Sequence, residues 1–351
     1  SGRTVITEGS GNFSLNRLFI LKDAVTDTIY FRKDFTLNET GNNTSNKSLN
    51  LATGILILSD AANSQPSTIN LNLSSGGTNY FNINSESGLI LRNGAKINIT
   101  GNTQGSGMRL DGLLAAEGNS EINLADGTIN NTGYIEYTGS GNAVLNISGT
   151  SILRVAQIRR SLFLTSGIIN YSQGESGNVI IYGTGASSIR AKLEIAGTGS
   201  TFRMSGSPVL TIINGGGTAF GDLYLRPETS SVTGGDIILG TGSSNQTFHI
   251  DAAIYLNNLT LNSSGSANTI NLMVNPLLLN GNLLINSTNN ILNANNIDVT
   301  VKGNFINNGI YNSGTNNTTF SGSTQILGGT SSTSFHNLTV SPSVSLSLSR
   351  D

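Results

Sequence analysis

The chain has 351 residues, with 18 Lys+Arg against 20 Asp+Glu, two His, no Cys and no Trp. Charged residues make up 11% of it, under half the usual share of about 25%. These counts exclude disulfides, thiolate metal sites, a cysteine nucleophile and a His-rich metal centre, and a formal charge of −2 lacks the basic face that a nucleic-acid binder needs.

The apolar set is mostly Leu, Ile and Val, and the polar set is Asn, Ser, Thr and Gly, with 47 Asn and 43 Gly. Asn, Ser and Thr compete with the helix ladder through local hydrogen bonds, and Gly costs about 1 kcal/mol per helical site against Ala. Thr, Ile and Val favour strands, while Gly and Asn favour turns with positive φ. The composition therefore predicts an all-β chain. Apolar residues recur at short intervals to the end, which argues against disorder. Apolar runs such as Met273 to Leu279 are far shorter than the ~20 residues that span a bilayer. The start at Ser1 has no signal-peptide pattern. Scarce Lys and Glu with no thiols suit an exported bacterial protein better than a cytosolic enzyme.

Residues 1–50 hold a disproportionate share of the charge, from Arg17, Lys22 and Asp23 to Arg32, Lys33 and Asp34. They are expected to form an N-terminal cap and first rungs, because a solenoid must hide its first open edge. Residues 51–351 carry the repeats. Ile97-Asn98-Ile99, Ile122-Asn123-Leu124, Leu145-Asn146-Ile147 and Ile169-Asn170-Tyr171 follow one another at steps of 25, 23 and 24. Gly88-Leu89-Ile90, Gly112-Leu113-Leu114 and Gly133-Tyr134-Ile135 form a second series.

A period near 24 residues with two or three short strands fits a parallel β-solenoid, or β-helix, of about 14 rungs. A rung cannot bury its apolar residues alone, so rungs stack and share a core. At about 4.8 Å per rung the rod is roughly 70 Å long. The alternative is a β-sandwich with strands every 8–12 residues. In the solenoid Asn98, Asn123, Asn146 and Asn170 line up along one axis. Ile97, Ile99, Ile122 and Leu124 then point inward and Asn123 outward.

Residues 151–250 contain only four Asn, and Arg154, Arg159 and Arg160 make a short basic stretch. A boundary between two solenoid segments can fall there. Those arginines are read as a solvated face in preference to a binding patch.

Carboxylates are scattered singly at Asp111, Glu117, Glu121, Asp126 and Glu136, with Glu117 and Glu121 placed to flank one turn. Asp222, Glu228 and Asp236, with Arg226, form the next-best cluster, and stacking of rungs brings two of them together if any site exists. A polysaccharide lyase or glycoside hydrolase on this scaffold would need three or more carboxylate and basic side chains converging in one groove. Neither His249 nor His336 lies near a nucleophile elbow. His249 is expected to face solvent and His336 to sit on a strand. Asn214-Gly215-Gly216-Gly217 is not a phosphate loop. Gly234-Gly235-Asp236 hints at a calcium repeat but does not recur. An ice-binding solenoid needs Thr-x-Thr on successive rungs, and Thr does not recur at the 24-residue spacing. The sequence therefore assigns no catalytic, cofactor-binding or metal residues.

Towards the C-terminus come Gly281-Asn282-Leu283, then Gly303-Asn304-Phe305-Ile306-Asn307-Asn308-Gly309. Thr319-Phe320-Ser321-Gly322-Ser323-Thr324-Gln325-Ile326-Leu327-Gly328-Gly329 and Phe335-His336-Asn337-Leu338-Thr339-Val340 follow. Over about 75 residues this resembles the GNFxNNGxF, FxGxxQxIxG and FxNLTV phrases of very large Bacteroidota surface proteins. Those are adhesin-like or gliding-associated and leave the cell by the type IX secretion system. The resemblance implies a non-catalytic structural or adhesive segment at the bacterial cell surface. Its partners would be neighbouring segments of a larger parent protein and surface glycans, with no nucleic acid and no membrane insertion. The family's C-terminal sorting domain is missing, so the chain is expected to be cut from something longer.

Overall fold

The computed structural model describes residues 3–6, 13–38, 48–59, 67–72, 80–100, 107–125, 133–137, 143–160, 168–175, 178–181, 192–216, 221–241, 245–263, 265–341 and 343–349. The chain is all-β, and every strand pairing among these residues is parallel. It is a parallel β-solenoid with three faces per rung. Gly107–Leu110, Leu113–Ala116 and Glu121–Asn123 show one rung, lying on the first, second and third face in turn.

The third face is a single ladder of 14 strands, one for each predicted rung. The first face and the N-terminal part of the second merge into a 17-stranded sheet. They merge because four long strands turn the corner without breaking: Leu49–Leu58, Tyr80–Leu91, Leu193–Gly206 and Leu223–Val232. Gly54 at φ 93° and Gly197 at φ 100° make two of those bends, a backbone region that side chains with a Cβ rarely enter. Five further strands take the second-face position in the C-terminal rungs.

Side chains alternate in and out because a strand's period is two, and burial follows it residue by residue, as in Val144–Ile147 and Val209–Ile212. One inward column on the third face runs Phe35, Ile69, Ile97, Ile122, Leu153, Val179, Leu210, Ile237, Leu259, Leu283 and Phe305. All are buried, and Ile99 and Leu124 are buried in the next column. Backbone polarity is equally regular. Inward residues donate their N–H to the following rung: Ile135 to the Gln157 carbonyl at 3.0 Å, Leu193 to Asp222 at 2.9 Å, Leu283 to Asn304 at 2.8 Å. Most outward residues donate to the preceding rung, as Val144 does to Gly112 at 2.8 Å and Lys302 to Leu279 at 2.9 Å, whereas Lys192 and Asp222, each just before its strand, donate forward.

The described strands within residues 1–50 stack in the same ladders as later rungs: Arg3–Ile6 pairs with Thr28–Phe31, and Phe13–Leu15 with Phe35–Leu37. Other sequence expectations need correction. The four asparagines do not share one axis. Asn123 donates to Asn98 at 2.9 Å and Asn98 to Asn70 at 3.3 Å on the third face. Asn146 and Asn170 are instead register partners on the second face. The cause is rung length, which runs from 19 residues between Asn293 and Asn312 to 35 between Ile158 and Leu193. The partner above Asn123 is Arg154, 31 residues on. A step of 23 therefore stops one face short. For the same reason Gly88 stands opposite Leu113, and Tyr134 opposite Gly107 on the first face. Thr300, Thr319 and Thr339 do stack in an outward column of the second face. The flanking outward position holds Asn317 and Asn337 instead of Thr, so these strands form no Thr-x-Thr array.

Candidate functional site

The densest group of ionisable side chains lies mid-rod on the outward side of the first face. Leu193, Leu223 and Ile250 are register partners. Lys192, Asp222 and His249, each one residue earlier, therefore stack in one outward column. Their backbones are joined, Lys192 N–H to the Asp222 carbonyl at 3.1 Å and Asp222 N–H to the His249 carbonyl at 2.7 Å. Two residues further along the strands, Glu194, Tyr224 and Asp251 form the adjacent column, and Arg226 lies two beyond Tyr224.

Asp222 is fully buried, and its Oδ2 accepts the His249 backbone N–H at 2.8 Å and faces His249 Nδ1 at 3.5 Å. Burial of Lys192 lowers its pKa from 10.5, with the Asp222 carboxylate pulling the other way. Asp251, also buried, takes Arg226 Nη2 on Oδ2 at 2.5 Å and Asn275 Nδ2 on Oδ1 at 2.5 Å. The Arg226 guanidinium lies 5.1 Å from the Tyr224 ring centre, within cation–π range. Three carboxylates and two strong cations thus meet on one face. Glu194 and Asp222 are nevertheless 0% exposed, so solvent and a polymeric substrate do not reach them. The carboxylates of Asp222 and Asp251 accept hydrogen bonds, as buried charge requires.

The predicted cluster of Asp222, Glu228, Asp236 and Arg226 does not assemble. Glu228 accepts the Gly199 N–H at 2.5 Å and Asp236 accepts Asn258 Nδ2 at 2.6 Å, while Arg226 pairs with Asp251. Glu117 and Glu121 do flank one turn, each already paired: Glu117 with Arg92 at 2.8 Å, Glu121 with Lys96 at 2.7 Å and Arg154 at 2.8 Å. The hydrogen bond from Lys96 does most to lower the pKa of Glu121 below the usual carboxylate value, Arg154 adds to it, and burial works against both. Glu136 stands opposite Arg109 and Arg159 in register, and Asp111 follows Gly107–Leu110 in a bend. Asp126 lies outside the described residues.

Arg154 belongs to the third face and Arg159 and Arg160 to the first, so the three make no single patch. His249 faces outward but is half-buried against Asp222, and His336 is exposed in the bend before Asn337–Val340, not on the strand. Among the described residues no group of three or more His, Cys, Asp or Glu side chains could hold a metal ion.

Sequence reasoning missed Lys192, Glu194 and Asp251. A signal for them exists in the phrases Lys192-Leu193-Glu194-Ile195, Asp222-Leu223-Tyr224-Leu225-Arg226 and His249-Ile250-Asp251-Ala252. Each places charged or polar residues at alternate positions of an otherwise apolar strand. Among the described residues no helix is long and apolar enough to cross a membrane. No family model, no curated protein and no solved structure matches the chain.

Proposed function

We propose that this chain is a structural, non-catalytic stretch of a large secreted bacterial surface protein. It is a rod that spaces neighbouring segments of its parent and offers polar faces to surface glycans. The observation that carries this reading is the third face, 14 strands stacked without a break. At about 4.8 Å per strand its chief product is length, roughly 70 Å. The likeness of Gly281 to Val340 to Bacteroidota surface repeats supports the surface setting and the type IX route. Tyr134 and Tyr137 are buried, which leaves those rings unavailable for the stacking a tight sugar pocket uses.

A glycan-cleaving enzyme on the same scaffold is the second reading, favoured by the convergence of Lys192, Glu194, Asp222, Arg226 and Asp251. Burial counts against it, because an acid and a base must reach the scissile bond. The test uses an antibody raised against the purified chain and intact cells of the source bacterium treated with protease. The antigen should be degraded on intact cells and present in the surface or secreted fraction. Recovery only from the cytosol of lysed cells sinks the proposal. Release of new reducing ends or unsaturated uronides from cell-wall polysaccharides by the purified chain would move the reading to the enzyme.

A further inference from the structure

Exposed large apolar side chains gather at one place on the flank of the rod. Between residues 26 and 309 the described ones are Tyr255, Met273 and Val274, at 38%, 39% and 64% exposure. They belong to two consecutive rungs. Met273 and Val274 turn the corner between the first-face strand Asn268–Leu272 and the second-face strand Leu277–Leu279, and Tyr255 lies on the second face beside it. The ladders of the first and third faces run on through both rungs, so this is side surface.

A cation reaches the same place. Tyr255, Leu278 and Thr300 are register partners in one outward column. Asn280 and Lys302 stand two residues beyond Leu278 and Thr300, in the adjacent outward column. Lys302 reaches back towards Tyr255. Its Nζ donates to Asn280 Oδ1 at 3.0 Å and lies 4.3 Å from the Tyr255 ring centre, within cation–π range. Lys302 is exposed, and among the described residues it forms no ion pair. Asp298, on the same strand, stands four residues earlier, roughly 13 Å away along an extended chain, and its Oδ1 accepts the Asn317 N–H at 2.8 Å.

We infer that this patch binds an acidic sugar, a uronate unit of a polysaccharide. Tyr255 and Leu278 offer an apolar surface for the C–H face of a pyranose ring. The Thr300 hydroxyl stands in the same column, and Lys302 supplies the charge that a carboxylate pairs with. Charge and size select this occupant. The cation at the patch has no acid opposite it. The patch spans two or three rungs, roughly 10–14 Å along the axis, whereas a protein partner needs about 20–30 residues a side. The inference deepens the glycan part of the rod reading and rests on it, but not on surface location, so sugar binding can fail while cell-surface exposure holds.

The test is calorimetric titration of the intact chain with β-1,4-linked trimannuronate. Its control is β-1,4-mannotriose, which carries CH2OH in place of each carboxylate. Saturable binding of trimannuronate is expected, with mannotriose weaker by about tenfold or more, the worth of one charge-assisted hydrogen bond. Lys302→Met keeps an apolar stem beside the ring and removes the charge, so trimannuronate should fall to the mannotriose level. Tyr255→Leu should weaken trimannuronate by about fivefold or more. Both positions are exposed, and circular dichroism should be unchanged in both variants. No saturable binding of trimannuronate, equal binding of mannotriose, or wild-type binding by either variant overturns the inference. Equal binding of triglutamate, which has the carboxylates without the pyranose rings, also overturns it and makes the patch a site for acidic peptides.

Discussion

Ile122 and Asn123 are adjacent in the chain and face opposite ways. Ile122 stacks between Ile97 and Leu153 with 0% exposure. Truncation to Ala should cost about 2–5 kcal/mol through the cavity it leaves. Asn123 faces outward as its position predicts, but it is no ordinary surface residue. Its amide donates to Asn98 at 2.9 Å, and its Oδ1 accepts from Arg154 at 2.6 Å. Asn123→Ala should therefore cost about 0.5–1.5 kcal/mol, and denaturant titration of the two variants checks the order. Equal losses would place Asn123 in a buried ladder. Glu121, held by Lys96 and Arg154, has a folded pKa below 4.5. Its contribution is present above the unfolded value and is lost as pH falls through the folded one. Glu121→Gln should lower stability at pH 7 by about 0.5–1 kcal/mol and flatten the acid limb of the stability profile. An unchanged limb would show that the pairs contribute nothing. For Lys192, with a folded pKa below 10.5, the sign is opposite. The unfolded chain binds the proton more tightly, so stability rises with pH from the folded value to 10.5. Lys192→Met should remove that rise, and the difference between the two alkaline stability curves measures it.

The Gly-Asn pairs at Gly281-Asn282 and Gly303-Asn304 are best understood as parts of one element, an amide ladder at the start of the third-face strands. Asn258 Oδ1 accepts the Asn282 N–H at 2.7 Å, Asn282 Oδ1 the Asn304 N–H at 2.7 Å, and Asn304 Oδ1 the Ile326 N–H at 2.8 Å. A Cβ on Gly281 would sit 2.1 Å from Asn258 Oδ1. The glycine is needed because the asparagine of the rung below occupies its side-chain space. Gly281→Ala should cost about 1–3 kcal/mol by overpacking. The cost should shrink in an Asn258→Ala background, since the two act on one contact. Additive losses in the double-mutant cycle would disprove the coupling. This ladder was legible in the sequence because rungs here are regular, 22 or 24 residues long. The mid-rod charge cluster was not. Lys192, Asp222 and His249 are brought together by rungs of 30 and 27 residues, and one residue of misjudged length turns an outward side chain inward. Alternation reveals which residues share a face of one strand. Only the loop lengths reveal which strands are neighbours, and turn sequences do not announce their lengths.

For the whole molecule, the consequence of stacking is that each rung touches mainly the rungs on either side of it. Leu283 pairs with Leu259 below and Phe305 above. Ile122 lies six rungs away in the same column, with no shared partner. In such a quasi-one-dimensional array stability is a sum of rung terms and nearest-neighbour terms, and local opening need not be global. Weakening one rung should therefore loosen its neighbourhood and spare the far end. In hydrogen exchange followed by mass spectrometry, Ile122→Ala should accelerate exchange in peptides covering residues 96–100, 121–123 and 152–155. Peptides covering residues 277–285 and 299–307 should exchange at the wild-type rate. The C-terminal block has independent reasons to hold. Its core contains the Phe305–Phe320 ring pair at 6.4 Å and the Phe305–Tyr311 edge contact at 5.3 Å, and the asparagine ladders run along its corners. A uniform acceleration from one end of the chain to the other would show a single cooperative unit. The rod would then have to be treated as one domain whose rungs cannot be lengthened, shortened or weakened separately.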